Sequence, residues 1–427
     1  LAVESALAPE QRPNVLNVSL VILLGASFFG SLTTYMSQPF FVLYYHHALA
    51  LPMAQAGLLV GLTPLSAALF GVIGGYVSDR IGIRRGYVLA LAVTAVCFIG
   101  LASLRLYVLL LGVSVVMGLA NATMRSGVQA LINTRVPKSE AGRYQTYLYW
   151  LNNLGIVIGP TVATILFSAG KKPTVFYIAA GLLLLLAIVI WSVVRDAQAE
   201  TPAATAPGEK PQEPPSKRPT FLDVMKCLGT DRALWWTFIA LLCFIVVESQ
   251  LTSTLGLYLA SKFRHGTQYY GLLNTEIALI VLLCTPLVQR FAKKLPVTKV
   301  LPTGLVVLGL GLALSGFSTQ PIGWFIGIFF YGIGEVLAIT KVNEIMAGAA
   351  GRGNPATRFA SLNSAMFLGM FIGYTLSTPL VSVLSSEVFY LGTFIIVICA
   401  MLAFLKAYHL LRETSVSESK NEATGAM

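Results

Sequence analysis

Three carboxyl groups in this chain lie inside long apolar runs: Glu248 in VVESQLTSTLGLY, Glu276 in LLNTEIALIV and Glu335 in GIGEVL. An isolated carboxyl among hydrocarbon exchanges its proton readily, because its charged form is disfavoured there and a nearby charge or ligand tips the balance. Proton coupling is the chemistry these residues suit, with Glu248 the first choice and Glu335 beside it. Two cations, Arg125 and Lys341, occupy equally apolar runs. They offer a second reading, in which Glu248 is held in a permanent ion pair with Arg125 or Lys341 and serves structure or gating. A charge near the middle of a bilayer costs at least about 2.5 to 3.5 kcal/mol, so each of the five is a functional candidate. Glu344 falls on the opposite side of a helix from Glu335 and one turn from Lys341, where it can pair near the helix end. Glu276 fits a packing role as well as a functional one.

A short charged run, GYVSDRIGIRR, joins two apolar stretches and sets Gly75, Asp79, Arg80, Gly82, Arg84 and Arg85 at fixed offsets. Glycines let two helix ends approach, and the arginines hold the joint in water. Asp79 either gates through its charge or compensates the arginines beside it. His46 and His47 can titrate or bind metal, but no Cys, Asp or Glu adjoins them, so no metal is expected. The five cysteines, Cys97, Cys227, Cys243, Cys284 and Cys399, are scattered singly and define neither a zinc site nor a disulfide framework. A phosphate-binding glycine loop and a nucleophile with its base are not visible, which disfavours ATP-driven transport and hydrolase chemistry and leaves no enzyme activity or cofactor expected.

The elements that position these groups follow from composition. A mean hydropathy of +0.75 with only 11% charged residues is too apolar for a soluble chain of 427 residues, so lipid must cover the excess. About twelve apolar spans follow one another, each long enough to cross about 30 Å of hydrocarbon as a helix. They are placed near 16–45, 53–77, 87–103, 107–134, 144–169, 174–194, 233–260, 269–289, 297–316, 321–348, 359–384 and 388–409. The fold class is an all-α integral membrane protein.

The net charge of +11 takes its meaning from where it lies. With both termini in the cytoplasm, most Lys and Arg fall in cytoplasmic segments, and only Arg105, Lys171, Lys172, Lys262 and Arg264 fall outside. That is the positive-inside bias of a multi-pass protein of the cell membrane. No basic patch interleaved with aromatics favours nucleic acid. Between Arg195 and Arg232 the sequence turns to Pro, Ala, Glu, Lys and Thr, which reads as a mobile cytoplasmic connector. It divides a first six-helix unit, 1–194, from a linker, 195–232, and a second unit with its tail, 233–427. One constant offset lays Gly57 on Gly271, Leu43-Tyr44 on Leu257-Tyr258, Gly118 on Gly332, Gly155 on Gly369 and Gly159 on Gly373, the mark of a duplicated, pseudo-symmetric bundle. The charged joint of the first unit then falls on QRFAKKLPVTK, where Lys293 replaces Asp79 and Pro296 replaces Gly82, so any interaction through Asp79 is one-sided.

The pattern G-x-x-x-D-R-x-G-x-R-R resembles the loop between helices 2 and 3 of the major facilitator superfamily, where that loop forms part of the gate. Gly155, Gly159 and Pro160, in GIVIGP, are similar to an element of the superfamily's antiporter branches. There the pattern continues with paired glycines, whereas Ala163 and Thr164 stand here; the alternative is a helix-packing seam with no bearing on direction. The resemblance covers nearly the whole chain and implies that spans 1, 4, 7 and 10 line a central cavity. Candidate substrate groups are Thr34 and Gln38 in the first span, Trp150, Asn152 and Asn153 in the fifth and Gln250 in the seventh, a polar and aromatic set suited to an amphipathic solute. Tyr144 and Tyr147 read as interfacial anchors. The expected function is proton-coupled export of small amphipathic organic molecules by alternating access, with drug and proton antiport the branch resembled. The partners are a small-molecule substrate, protons and membrane lipids, and the carrier is a monomer. The alternatives are a symporter or exchanger of an anionic solute held by Arg125 and Lys341, siderophore-like compounds included, or a membrane receptor that kept the fold and lost transport.

Overall fold

The computed structural model describes residues 18–136, 140–168, 173–194, 221–292, 294–351 and 355–425. Twelve helices among them are long and apolar enough to cross a membrane: Val18–His47, Met53–Gly71, Ile83–Ser103, Tyr107–Asn133, Thr146–Phe167, Thr174–Val193, Arg232–Lys262, Gly266–Ala292, Val297–Phe317, Pro321–Ala350, Thr357–Leu380 and Ser386–Glu413. In hydrocarbon a helix satisfies its backbone groups within one segment, which is why the apolar runs fold this way. They are called spans 1 to 12 below. The chain is a multi-pass membrane protein.

The two sets of six pack by one plan. Span 1 packs on spans 5 and 6, span 2 on span 4, and span 3 on spans 4 and 6. In the second set span 7 packs on spans 11 and 12, span 8 on span 10, and span 9 on spans 10 and 12, the same pairings six spans on. Span 2 meets span 11 and span 5 meets span 8 across the seam between halves. That arrangement is the duplicated bundle read from the repeat in sequence.

Small residues set how close these helices come. A Cβ added at Gly155 would lie 2.7 Å from the backbone nitrogen of Leu32, and one at Gly159 would lie 2.7 Å from that of Met36, so span 5 rides directly on the span 1 backbone. Asn152, one turn below, accepts hydrogen bonds from Ser27 at 2.7 Å and Ser31 at 2.8 Å and locks the same pair. Pro160 sits inside the continuous helix Ala141–Ser168.

Spans 1 and 7 are broken at matching places. A 3-10 turn, Gln38–Phe40, interrupts span 1 after Ser37, and span 7 divides into Arg232–Glu248, Gln250–Ser253 and Leu255–Lys262. Pro39 accounts for the first break, since it cannot donate a backbone hydrogen bond. The second follows from the run Ser249 to Thr254, whose side chains bond back to the helix: Ser249 to the Val246 carbonyl at 2.7 Å, Gln250 to the same carbonyl at 2.6 Å and Ser253 to the Ser249 carbonyl at 2.8 Å.

The stretch expected to be a connector without structure ends in a helix, Phe221–Thr230, packed against spans 7 and 11. The Pro-rich composition that motivated the expectation stops before it, and Leu222, Met225 and Leu228 recur at helical spacing. Residues 195–220 lie outside the described set.

Candidate functional site

The ends of the molecule differ. One face carries the Gly82 joint, the helix Phe221–Thr230 and the C-terminal extension, and is called the basic face here; the other is the far face. On the far side the halves are shut. Tyr270 donates to the Pro39 carbonyl at 3.0 Å, the Thr161 and Thr275 hydroxyls lie 2.7 Å apart, and the Phe40 and Tyr270 rings meet edge to face at 5.5 Å. A Cβ at Gly57 would lie 2.6 Å from the Tyr374 carbonyl, and one at Gly271 would overlap Thr164. Toward the basic face Arg125, Gln129, Asn343 and Glu344 are exposed.

Between these levels the broken ends of spans 1 and 7 bring polar groups together. Glu248 closes the first piece of span 7 and interacts electrostatically with Glu335 of span 10. Tyr35 feels the charges of Arg125, Glu248 and Glu335, and Tyr331 those of Glu335 and Glu248. One carboxylate oxygen of Glu335 and the Tyr331 hydroxyl are buried without a hydrogen-bond partner among the described residues. Tyr374, from span 11, accepts a hydrogen bond from Gln38 Nε2 at 2.9 Å and shares a hydroxyl–hydroxyl bond of 3.0 Å with Thr252, whose own Oγ1 also reaches the Ser249 carbonyl at 3.1 Å; Tyr374 lies under the charge of Glu248. The site is an acid pair ringed by phenols, with Arg125 at its open side.

The sequence candidates divide. Glu248, Glu335, Arg125 and Gln38 fall in one neighbourhood, the first three through their charges on Tyr35 and Gln38 through its bond to Tyr374. Lys341 does not join them: it is 3% exposed and forms an ion pair with Glu344 at 2.8 Å. Its repeat position nearly matches that of Arg125 but falls two residues later, and two residues turn a helix by roughly 200°, which points the side chain elsewhere. Gln250 is buried and bonded to Ser377 at 3.0 Å and to its own helix, so it braces the break in span 7 against span 11. Thr34 bonds back to the Gly30 carbonyl at 2.8 Å, and Asn153 to the Tyr149 carbonyl at 2.7 Å. Asn152 is committed to Ser27 and Ser31, as described. Trp150 is 43% exposed and shares a helix face with Val157 and Thr161, the face that meets span 8 further along. Glu276 shares a helix face with exposed Leu272, Leu279 and Leu283, away from the acid pair, with one oxygen buried and without a partner among the described residues.

At the joint, Gly82 has φ +95°, a conformation side chains rarely adopt, and turns span 2 into span 3. Arg84 donates to the Trp191 carbonyl and lies 4.8 Å over its ring, which ties the joint to span 6. Arg80 and Arg85 are exposed. Asp79 falls in the last turn of the helix Met53–Ile81; its side chain and the surroundings of Gly75 lie outside the described set. His46 faces the Leu51 carbonyl at 3.0 Å with the His47 ring 5.0 Å from its own.

Sequence reasoning missed the phenols of Tyr331 and Tyr374. Tyr331 stands one turn before Glu335 in YGIGE, a spacing that shares a face. Tyr374 follows Gly373, the repeat equivalent of Gly159, and that adjacency to a close-packed position was its only signal.

Twelve spans in two repeated sets, closed on one side around a central polar site, define a secondary transporter fold. The profile described as Major Facilitator Superfamily matches residues 23–295 and 259–426, and the chain belongs to that family. It is 24% identical over 358 residues to the uncharacterized MFS-type transporter YqjV of Bacillus subtilis (strain 168), covering 83% of this chain and 84% of that protein. It is 24% identical over 322 residues to the multidrug resistance protein MdtH of Aeromonas salmonicida (strain A449), covering 74% and 76%. Among solved structures, a bacterial homolog of the human lysosomal transporter Spinster, in an inward-facing and unoccupied conformation, superposes with a TM-score of 0.72 at 14% identity, over 93% of this chain and 97% of that one.

Proposed function

We propose that this transporter couples proton entry to export of small amphipathic organic molecules, alternating access between a cytoplasmic basic face and an external far face. The observation that carries the reading is the electrostatic interaction between Glu248 of span 7 and Glu335 of span 10, with Lys341 committed to Glu344 instead. Two carboxylates in one pocket repel, so a proton or the positive end of a substrate relieves the same repulsion, and one displaces the other. That competition is what exchange requires. The phenols of Tyr35, Tyr331 and Tyr374 give a solute aromatic walls and hydrogen-bonding groups. The excess of Lys and Arg on the basic face supports its cytoplasmic placement, and the likeness to a multidrug resistance protein supports amphipathic cargo. Asp79 is proposed to hold the basic face shut when the far face opens.

Exposure of Arg125 beside the acids favours a second reading, an exchanger of anionic solutes. It is the weaker one, because the other cation expected to hold an anion is buried against Glu344. Purified protein in liposomes with an imposed pH gradient separates the two: accumulation of cationic or neutral amphiphiles with counter-flow of protons supports the export reading, and proton-independent exchange of anions overturns it.

A further inference from the structure

On the far face a cavity of about 270 Å³ opens between the halves. The first half lines it with Leu43 and His47, near the end of span 1, and with Phe167, at the end of span 5. The second half lines it with Arg264 and His265, from the turn between spans 7 and 8, and with the first turn of span 8 at Thr267 and Gln268. Phe167 packs on Phe40 with ring centroids 4.5 Å apart, and Phe40 meets Tyr270 edge to face, so the cavity shares a wall with the aromatic closure of the far face. Arg264, His265 and His47 are exposed, and no acid stands among the described lining residues.

Cations are scarce on this side of the chain, which makes each one informative. Of the five assigned to it from the sequence, Lys171 and Lys172 lie outside the described residues. Lys262 is paired with Glu387 at 3.1 Å, and Arg105 donates to the Tyr44 hydroxyl at 3.3 Å. Arg264 has neither an ion pair nor a hydrogen bond among the described residues and lines the cavity instead. A guanidinium is always charged, and its planar fork matches the oxygens of an oxyanion. An imidazole has an N–H to donate whether it is charged or neutral.

We propose that this cavity binds a small dissolved phosphate, inorganic or as an ester, between Arg264 and His265 of the second half and His47 of the first. The volume has room for such an ion and a few waters, each of which takes about 30 Å³. The first turn of span 8 adds the positive end of its dipole. Arg264, His265 and His47 reach one ion only while the halves are together at this level, so an occupied cavity favours the closed far face and an anion on that side acts as a brake on its opening. The site is separate from Glu248 and Glu335 and stands whether or not those acids couple protons.

Calorimetric titration of inorganic phosphate into the full chain in detergent, at constant ionic strength and neutral pH, tests the proposal. Phosphate should bind at one site per chain, and Arg264→Gln and His265→Gln should each weaken binding at least about tenfold. His47→Gln, across the seam, should weaken it by a similar factor. Arg264→Lys, which keeps the charge and loses the fork, should retain part of the affinity. No binding to the unaltered chain, or binding that survives Arg264→Gln, overturns the site. Loss in Arg264→Gln with His47→Gln unaffected overturns the bridge between halves. Loss in Arg125→Gln with Arg264→Gln unaffected places the ion at the central site and overturns the proposal too. The same titration in nanodiscs separates a dissolved ion from a lipid headgroup: equal binding with phosphatidylcholine alone and with phosphatidylglycerol added supports the dissolved ion, and binding abolished by phosphatidylglycerol overturns it.

Discussion

The Arg358 guanidinium lies 2.5 Å from the Asp231 carboxylate, an ion pair between the first turns of span 11 and the residue that caps span 7. Asp231 also accepts from the backbone of Ala233 at 2.8 Å and Leu234 at 3.0 Å, while Arg358 reaches the Ala349 carbonyl at the end of span 10 at 2.8 Å. Three spans of the second half are joined through two side chains on the basic face.

Burial raises the Asp231 pKa, but the hydrogen bonds from Leu234, Arg358 and Ala233 outweigh it and the carboxyl ends below its ordinary value. A carboxyl depressed in the folded state stabilises above its unfolded pKa of about 3.9, and that stabilisation fades as pH falls through this value and below the folded one. Asp231→Ala should lower stability by about 2 kcal/mol near neutral pH, from the lost cap and the stranded arginine. Thermal melts in detergent at neutral pH and near pH 3 check it: the gap between the two proteins should shrink in acid.

The Lys341 and Glu344 pair is lopsided, since the lysine is 3% exposed and the glutamate 54%. Replacing Lys341 with Met leaves an exposed acid in water and should change stability by less than about 1 kcal/mol. Glu344→Gln strands a buried cation and should cost roughly 3 kcal/mol. Equal losses in melts of the two variants would contradict this placement.

Gly155 lies against the backbone of span 1, where no side chain can move aside. Gly155→Leu should abolish accumulation of folded protein, and Gly155→Ala should cost roughly 1 to 3 kcal/mol by forcing spans 1 and 5 apart. Fluorescence-detected size exclusion with a melting step reads both.

Asp79→Asn should slow cycling while the protein stays folded, because only an acid that gates through its charge notices an isosteric neutral replacement. Substrate binding by calorimetry alongside transport in liposomes checks it; full transport at normal expression would show the acid to be incidental.

The twelve spans, their repeat and the central acids were legible because each depends on local composition or on a constant offset. Spans 1 and 7 were read as unbroken: hydropathy does not register a Pro39 turn or a cluster of hydroxyls bonding back to their own helix. Asn152 and Gln250 looked like cavity groups because polarity in an apolar run is all the sequence reports. Whether such a group faces a solute or a neighbouring helix depends on packing several spans away, as Ser27 and Ser377 show. The place of Tyr374 required knowing that Gln38 and Thr252 both reach its hydroxyl across the seam.

Proton flux and substrate flux measured together in liposomes, for the unaltered protein and for Glu248→Gln and Glu335→Gln, test the central claim most directly. Neither acid pairs with Lys341, so neither amide should strand that cation or lower the melting temperature appreciably. The account predicts that Glu248→Gln still binds substrate but no longer drives it against a gradient or moves protons in exchange, with Glu335→Gln impaired in the same direction. Concentrative transport by Glu248→Gln with its pH dependence unchanged would contradict it.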